Sequence, residues 1–302
     1  MLLLVDLDGV VYRGPVAIPG MAALLRAREE AGDIVVYCTN NSSAHRSEYR
    51  TRLEGHGAPV SEERIVTAAR ATALALTDET TLADETTLAD GTTLADGTTL
   101  LDGTTLADGT MLTDKARVVM VLGGPGLEQE LTDVGLEVVE PTPHGLAAAP
   151  DVLVVGVDVR LTSERLSIAG EAVRRGARFV ATNRDPVYPT PDGFTAGAGS
   201  MVAAVEVTAG RAPDLLIGKP APRLFQAAAH AAGLPVARAV VVGDGLATDI
   251  AAARAVGARS VLVLTGVTTA EQLAAAPLYT HPTAVARDVA ELALLLERFA
   301  AE

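Results

Sequence analysis

Several runs of apolar side chains are continuous: LLLV at 2–5, IVVYC at 34–38, AVVVG at 239–243 and SVLVL at 260–264. A strand that is apolar on both faces has to be covered on both sides, which points to a parallel sheet sandwiched between helices. Amphipathic patterns at 21–30, 44–55, 222–232 and 250–256 supply those helices. The expected fold class is α/β, with a doubly wound parallel-sheet core. A further alternation, with strands near 118–122, 152–157 and 178–182, separates the two halves of that pattern and is long enough to bury a core of its own. The expected organisation is a core of 1–67 and 195–302 with a second α/β domain, 68–194, inserted into it. The run LLIG at 215–218 is counted with the core.

Charge and cysteine usage narrow the function. The chain carries a formal charge of −14, and nothing supplies the basic face that a nucleic acid or an anionic membrane requires. Nine acids, from Asp78 to Asp114, lie in a single segment, and the remainder is close to −5. Cys38 is the only cysteine, so no intrachain disulfide and no cysteine metal cluster can form, which suits a reducing cytoplasm. It is read as a small buried apolar residue, and the five histidines lack ligand spacing. No apolar run approaches the ~18 residues of a membrane span. The protein is expected to be cytoplasmic.

Residues 80–115 repeat a hexad, TTLADE, TTLADG, TTLADG, TTLLDG, TTLADG, TMLTDK. Six is not a helical period, and Asp-Gly at every sixth position favours turns. A stacked-turn element with its leucines on one face and a surface insert of low complexity both fit, the second better.

Chemistry gathers where the apolar runs stop. In parallel sheets ligands bind beyond the carboxyl ends of the strands. Asp6 and Asp8 follow the first run, Thr39 and Asn40 the second, Lys219 the LLIG run, and Asp244 with Asp249 the AVVVG run. Several carboxylates at close quarters titrate upward unless a hard cation neutralises them, and magnesium prefers carboxylate oxygen. A lysine, hydroxyls and amides beside them supply what a phosphoryl group needs.

DLDGV, TNNS, GKP and GDGLATD, in that order at strand ends, resemble the four motifs of the haloacid dehalogenase (HAD) superfamily of aspartyl-nucleophile phosphatases. VVGVD (154–158), FVATNRDPVYPT (179–190) and GAGS (197–200) resemble the α/β cap of its class IIA branch, the nitrophenyl-phosphatase and phosphoglycolate-phosphatase-like enzymes. The resemblance implies a HAD-like core with an inserted α/β cap, and a Mg²⁺-dependent phosphatase of small-molecule phosphate monoesters. It implies Asp6 as nucleophile, Asp8 as general acid and base, and Lys219 as the cation that stabilises transferring charge. Thr39 and Asn40, with Lys219, would bind phosphate, and Asp6, Asp8, Asp244 and Asp249 the metal. Asn183, Arg184 and Asp185 would face the site entrance and choose the substrate, Arg184 by pairing with a second anionic group. A homodimer fits the branch.

This sequence departs from the pattern at Gly245 and Ala247 in the metal loop, and at Ser163 and Ala196 in the cap. A non-catalytic phosphate-binding scaffold, and a phosphotransferase or mutase using the same nucleophile, are the competing readings.

Overall fold

A computed structural model of the chain describes residues 1–58, 60–77, 118–190 and 193–302. The expectation for the hexad repeat at 80–115 falls outside the described residues.

The strands of the amino-terminal part are β1 (Leu2–Asp6), β2 (Tyr12–Arg13), β3 (Val16–Ala17), β4 (Ile34–Thr39) and β5 (Ile65–Thr67). Then come β6 (Val118–Leu122), β7 (Glu137–Val139), β8 (Val152–Val155), β9 (Arg178–Ala181), β10 (Val187–Thr190), β11 (Gly193–Ala196) and β12 (Leu215–Leu216). The chain finishes with β13 (Ala239–Gly243), β14 (Arg259–Val263) and β15 (Ala284–Ala286).

Two parallel sheets result. The first has the order β15-β14-β13-β1-β4-β5, with Asp6 level with Cys38 on one neighbour and Val5 level with Val242 on the other. The second has the order β12-β9-β8-β6-β7. Two antiparallel hairpins, β2-β3 and β10-β11, project from them.

All five residues of β1 are buried, and its alternation explains why. Leu2 and Leu4 belong to one apolar cluster, with Leu224, Phe225, Ala252 and Ala253. Leu3 and Val5 belong to another, with Met21, Leu25, Leu53, Leu292 and Leu296. Successive side chains point to opposite faces, so a doubly covered sheet needs every position apolar. Burying each Leu or Val removes it from water at about 1.5–3 kcal/mol.

The first of those clusters does not stop at the first sheet. It runs through the helix Ala68–Thr77, buried at seven positions that include Ala68, Ala69 and Ala71, to Val119, Val121, Val154 and Val180 of the second sheet. Small side chains let that helix sit in the seam between the sheets. The far face of the second sheet is covered by the helices Ser163–Arg174 and Ala198–Ala209.

Two elements differ from expectation. The LLIG run does not join the first sheet: Leu215 and Leu216 pair with Val180 and Ala181 of β9. The helix Ala198–Ala209 packs against the helix Ser163–Arg174 of the second sheet. A short apolar run carries no mark of which of two parallel sheets it will extend.

Candidate active site

Three strand ends of the first sheet, β1, β4 and β13, open onto one cleft. The fourth contribution comes from the other sheet. Past β12 the chain keeps its register, Ile217 N–H donating to Ala181 O (3.1 Å) and Gly218 N–H to Thr182 O (2.8 Å). Asn40 then clamps the next peptide, accepting from Lys219 N–H at Oδ1 (2.7 Å) and donating to Lys219 O (2.9 Å). Lys219 therefore arrives in the cleft although its strand lies elsewhere.

Buried Lys219 donates to Asp6 Oδ1 at 2.5 Å and to Asp249 Oδ1 at 2.7 Å. Asp6, Asp244 and Asp249 each offer an oxygen within 4.8 Å of the others, and all three residues are buried. Gly245 N–H donates to Asp249 Oδ2 (3.0 Å), and Val267 N–H to Asp244 Oδ2 (2.7 Å). Asp8, by contrast, is open to solvent though ringed by neighbours, as a group on a cleft floor would be. Gly9 has φ +79°, and a Cβ there would overlap the Asp244 carboxylate. Glycine lets the chain turn directly after Asp8.

The electrostatics follow from burial. Burial pushes the Asp6 carboxyl well up, Lys219 pulls it back, and Asp249 and Asp244 push it up further. Asp244 is pushed up to about 6, by burial and then by Asp249. Burial works against the Lys219 charge, yet Asp249 and Asp6 hold its pKa above the usual lysine value. Burial also raises Asp8, opposed by Arg52 and Lys219, and a raised carboxyl retains the proton that a general acid has to give.

Three buried carboxylates face one ammonium, so two negative charges lack compensation. A divalent cation with a preference for oxygen matches that deficit. Asp6, Asp244 and Asp249 fit such an ion as side-chain ligands.

The loop departures acquire a physical reading. A Cβ at Gly245 would overlap the Thr248 hydroxyl, and one at Gly243 the Asp249 side chain, so the wide turn Leu246–Ile250 closes tightly on its acid. Ala247 is exposed.

Other expected site residues divide. Thr39 is buried at the cleft, its Oγ1 accepting from Asn41 N–H (3.2 Å). The Asn40 amide is fully engaged, since it also donates to Asp185 Oδ2 (3.0 Å); any contact with a phosphate oxygen has to come from its main chain. Asn183 is buried, donating to Asn40 O (2.7 Å) and accepting from Asp185 N–H (3.0 Å). Arg184 is exposed, its guanidinium paired with Glu206 on the helix Ala198–Ala209. Asp185, held by the Asn40 amide, is raised by burial and feels the charges of Lys219 and Asp249.

Sequence reasoning missed the loop after β14, where Thr265 Oγ1 donates to Gly9 O (2.6 Å) and Val267 fixes Asp244. The strand-end rule applied to SVLVL would have found it. It also missed Arg52, three residues after Tyr49 on one face of the helix Arg46–Gly55.

A family model described as haloacid dehalogenase-like hydrolase matches residues 3–137, and a HAD-hydrolase-like model matches 216–292. An acid sugar phosphatase of Staphylococcus haemolyticus is 33% identical over 270 residues, 89% of this chain and 87% of that one. The chain belongs to the haloacid dehalogenase-like hydrolases. Within them it is a class IIA member, a HAD core with the second α/β unit as its cap. The structure of a p-nitrophenyl phosphatase from Archaeoglobus fulgidus is similar with a TM-score of 0.79 and 29% identity, covering 97% of this chain and 98% of that chain. A glycerol phosphate phosphatase from Mycobacterium tuberculosis, in complex with magnesium, is similar with a TM-score of 0.75 and 31% identity, over 96% of this chain and 75% of that chain. Among the described residues no helix is long and apolar enough to cross a membrane.

Proposed function

We propose that this hydrolase is a Mg²⁺-dependent phosphatase of small-molecule phosphate monoesters that works through an aspartyl-phosphate on Asp6. The observation that carries the reading is the set of three buried carboxylates sharing one lysine beside a fourth, accessible acid. The similar proteins support it, being named for sugar phosphate, nitrophenyl phosphate and glycerol phosphate substrates.

Asp6, Asp244, Asp249 and the Asp8 main chain would hold the magnesium ion, which when bound offsets charge on the phosphoryl oxygens. Asp6 attacks phosphorus, and the ester oxygen leaves from the opposite side. Asp8, whose carboxyl is raised by burial, gives a proton to that oxygen and then, as carboxylate, takes one from the water that cleaves the aspartyl-phosphate. Lys219 keeps its charge throughout and stabilises the developing negative charge beside Asp6. The Thr39 hydroxyl and the main chain at Asn40 hold phosphoryl oxygens, and Asp185 lines the entrance.

The same reading takes in an inserted cap that begins near 68, but not the expected return to the core at 195, since Ala198–Ala209 packs on the second sheet. The pairing of Leu215 and Leu216 with β9 favours a later return to the core, beyond Ile217. It also takes in a cytoplasmic setting, where Cys38 stays reduced, and a homodimer, which sedimentation would detect.

Phosphate release from sugar phosphates, glycerol phosphates and p-nitrophenyl phosphate, with Mg²⁺ or with chelator, tests the proposal. Metal-dependent release is expected. A folded protein that releases none sinks the phosphatase, and a phosphorylated product on adding sugars or alcohols would turn it into a phosphotransferase.

A further inference from the structure

We propose that Thr265, in the loop after β14, is a positioning residue for the general acid: its hydroxyl holds the turn that aims Asp8 at the leaving oxygen. The inference rests on the phosphatase reading and deepens it, since it names what sets the proton donor in place.

Asp8 is open to solvent, so packing does not fix its carboxyl, and its aim depends on the main chain that carries it. That main chain is a tight turn. Tyr12 bridges back to Asp8, Gly9 N–H donates to Tyr12 O (2.7 Å), and Val11 N–H donates to Leu7 O (2.9 Å). The Gly9 carbonyl accepts from Thr265 Oγ1 at 2.6 Å, across 256 positions of sequence. The residue next to Asp8 is thus tied at its N–H from within the turn and at its carbonyl from the far end of the chain.

The grip is returned. Arg13, just beyond the turn, donates to the carbonyls of Thr265 and Gly266, so the β2-β3 hairpin holds the loop that pins its own turn. The two segments can meet because both are glycine at the contact: a Cβ on Gly9 would lie 2.8 Å from Gly266 Cα, and one on Gly266 would overlap the Asp244 carboxylate. Val267 N–H of the same loop donates to Asp244 Oδ2 at 2.7 Å. One loop therefore sets the turn of the general acid in register with a carboxylate of the buried cluster. A misplacement of about 1 Å between reacting groups can cost on the order of a hundredfold in rate.

The test uses leaving groups that differ in their need for a proton. An alkoxide departs only as it is protonated, whereas p-nitrophenolate departs without one, and kcat/KM reports the transfer to Asp6 in which the alcohol is lost. In the full-length protein with Mg²⁺, Thr265→Val keeps the side chain's shape and removes its hydroxyl. It should lower kcat/KM for glycerol 3-phosphate about tenfold or more and for p-nitrophenyl phosphate about twofold or less. Thr265→Ser should restore the parent ratio between the two esters. Equal losses on both, no loss on either, or a serine variant as skewed as the valine one would overturn the proposal, since a merely structural residue affects both esters alike. Hydrogen exchange on the metal-free protein separates this from the phosphatase reading. Thr265→Val should speed exchange of the amides at 9–12 about tenfold and leave those of β4 unchanged. If no ester turns over, the phosphatase reading falls, while faster exchange confined to the turn still sustains Thr265 as the residue that holds Asp8 and unchanged exchange refutes it.

Discussion

Two acids in this chain have nearly the same sequence setting. Asp6 follows LLLV, and Asp158 follows VVGV; each ends a buried parallel strand region, at 8% and 1% exposure. Their surroundings differ in one respect. Asp158 Oδ2 accepts two bonds from one guanidinium, Arg165 Nε at 3.1 Å and Nη2 at 2.9 Å, and its Oδ1 accepts from Arg160 N–H at 2.8 Å. Asp6 shares one lysine with Asp249, and Asp244 stands beside both. An acid matched by its own arginine holds a fold together, whereas acids that outnumber their partners hold a cation and do chemistry. Burial alone does not distinguish them.

Asp6→Asn should break the comparison most severely, lowering kcat about a thousandfold or more. Burial disfavours the Asp6 charge, so the variant should melt at or above the parent temperature in calorimetry. A lowered melting point would mean that Asp6 is structural like Asp158.

Metal acts on one of the two sites only. Chelation should abolish turnover, and Mg²⁺ at about 100 times its dissociation constant should stabilise the fold by about 2.7 kcal/mol, read as a rise in melting temperature. Asp244→Asn should largely remove that rise, and Asp158→Asn should leave it in place.

Asp158→Asn is the converse substitution. It leaves Arg165 without its charge partner and should destabilise by about 3 kcal/mol in chemical denaturation, while kcat stays within about twofold. A large loss of kcat without loss of stability would overturn its assignment as a structural pair.

An effect of similar size is spread over two pH units. Asp244 has a folded pKa of about 6, above its unfolded value near 4. The folded state therefore binds more protons between those values, and stability of the metal-free protein falls as pH rises from about 4 to 6, by on the order of 2–3 kcal/mol. Mg²⁺ should flatten that slope. A metal-free protein that grows more stable over this window would contradict the picture of uncompensated acids.

Much of the core was legible in the sequence because doubly covered strands need continuous apolar runs, and because β1, β4 and β13 deliver polar residues at their carboxyl ends. Asp6, Asp8, Thr39, Asp244 and Asp249 could be named from that rule together with the family resemblance. The assignment of LLIG to the core sheet was not correct, since pairing partners are chosen in space. Arg184 looked suited to anion binding until its partner Glu206, 22 positions later, was in view. Arg52 carried no motif; only the fold stacks it over the rings of Tyr12 and Tyr49 and brings its charge to bear on Asp8.

Local pattern thus determined the strand faces, the parallel class and the acids at the strand ends, because these depend on side chains a few residues apart. Tertiary structure decided which sheet brings Lys219 into the cleft, and which buried acids are paired and which are in excess. Each of those depends on charges brought together across long stretches of chain, and their balance exists only once the chain has folded.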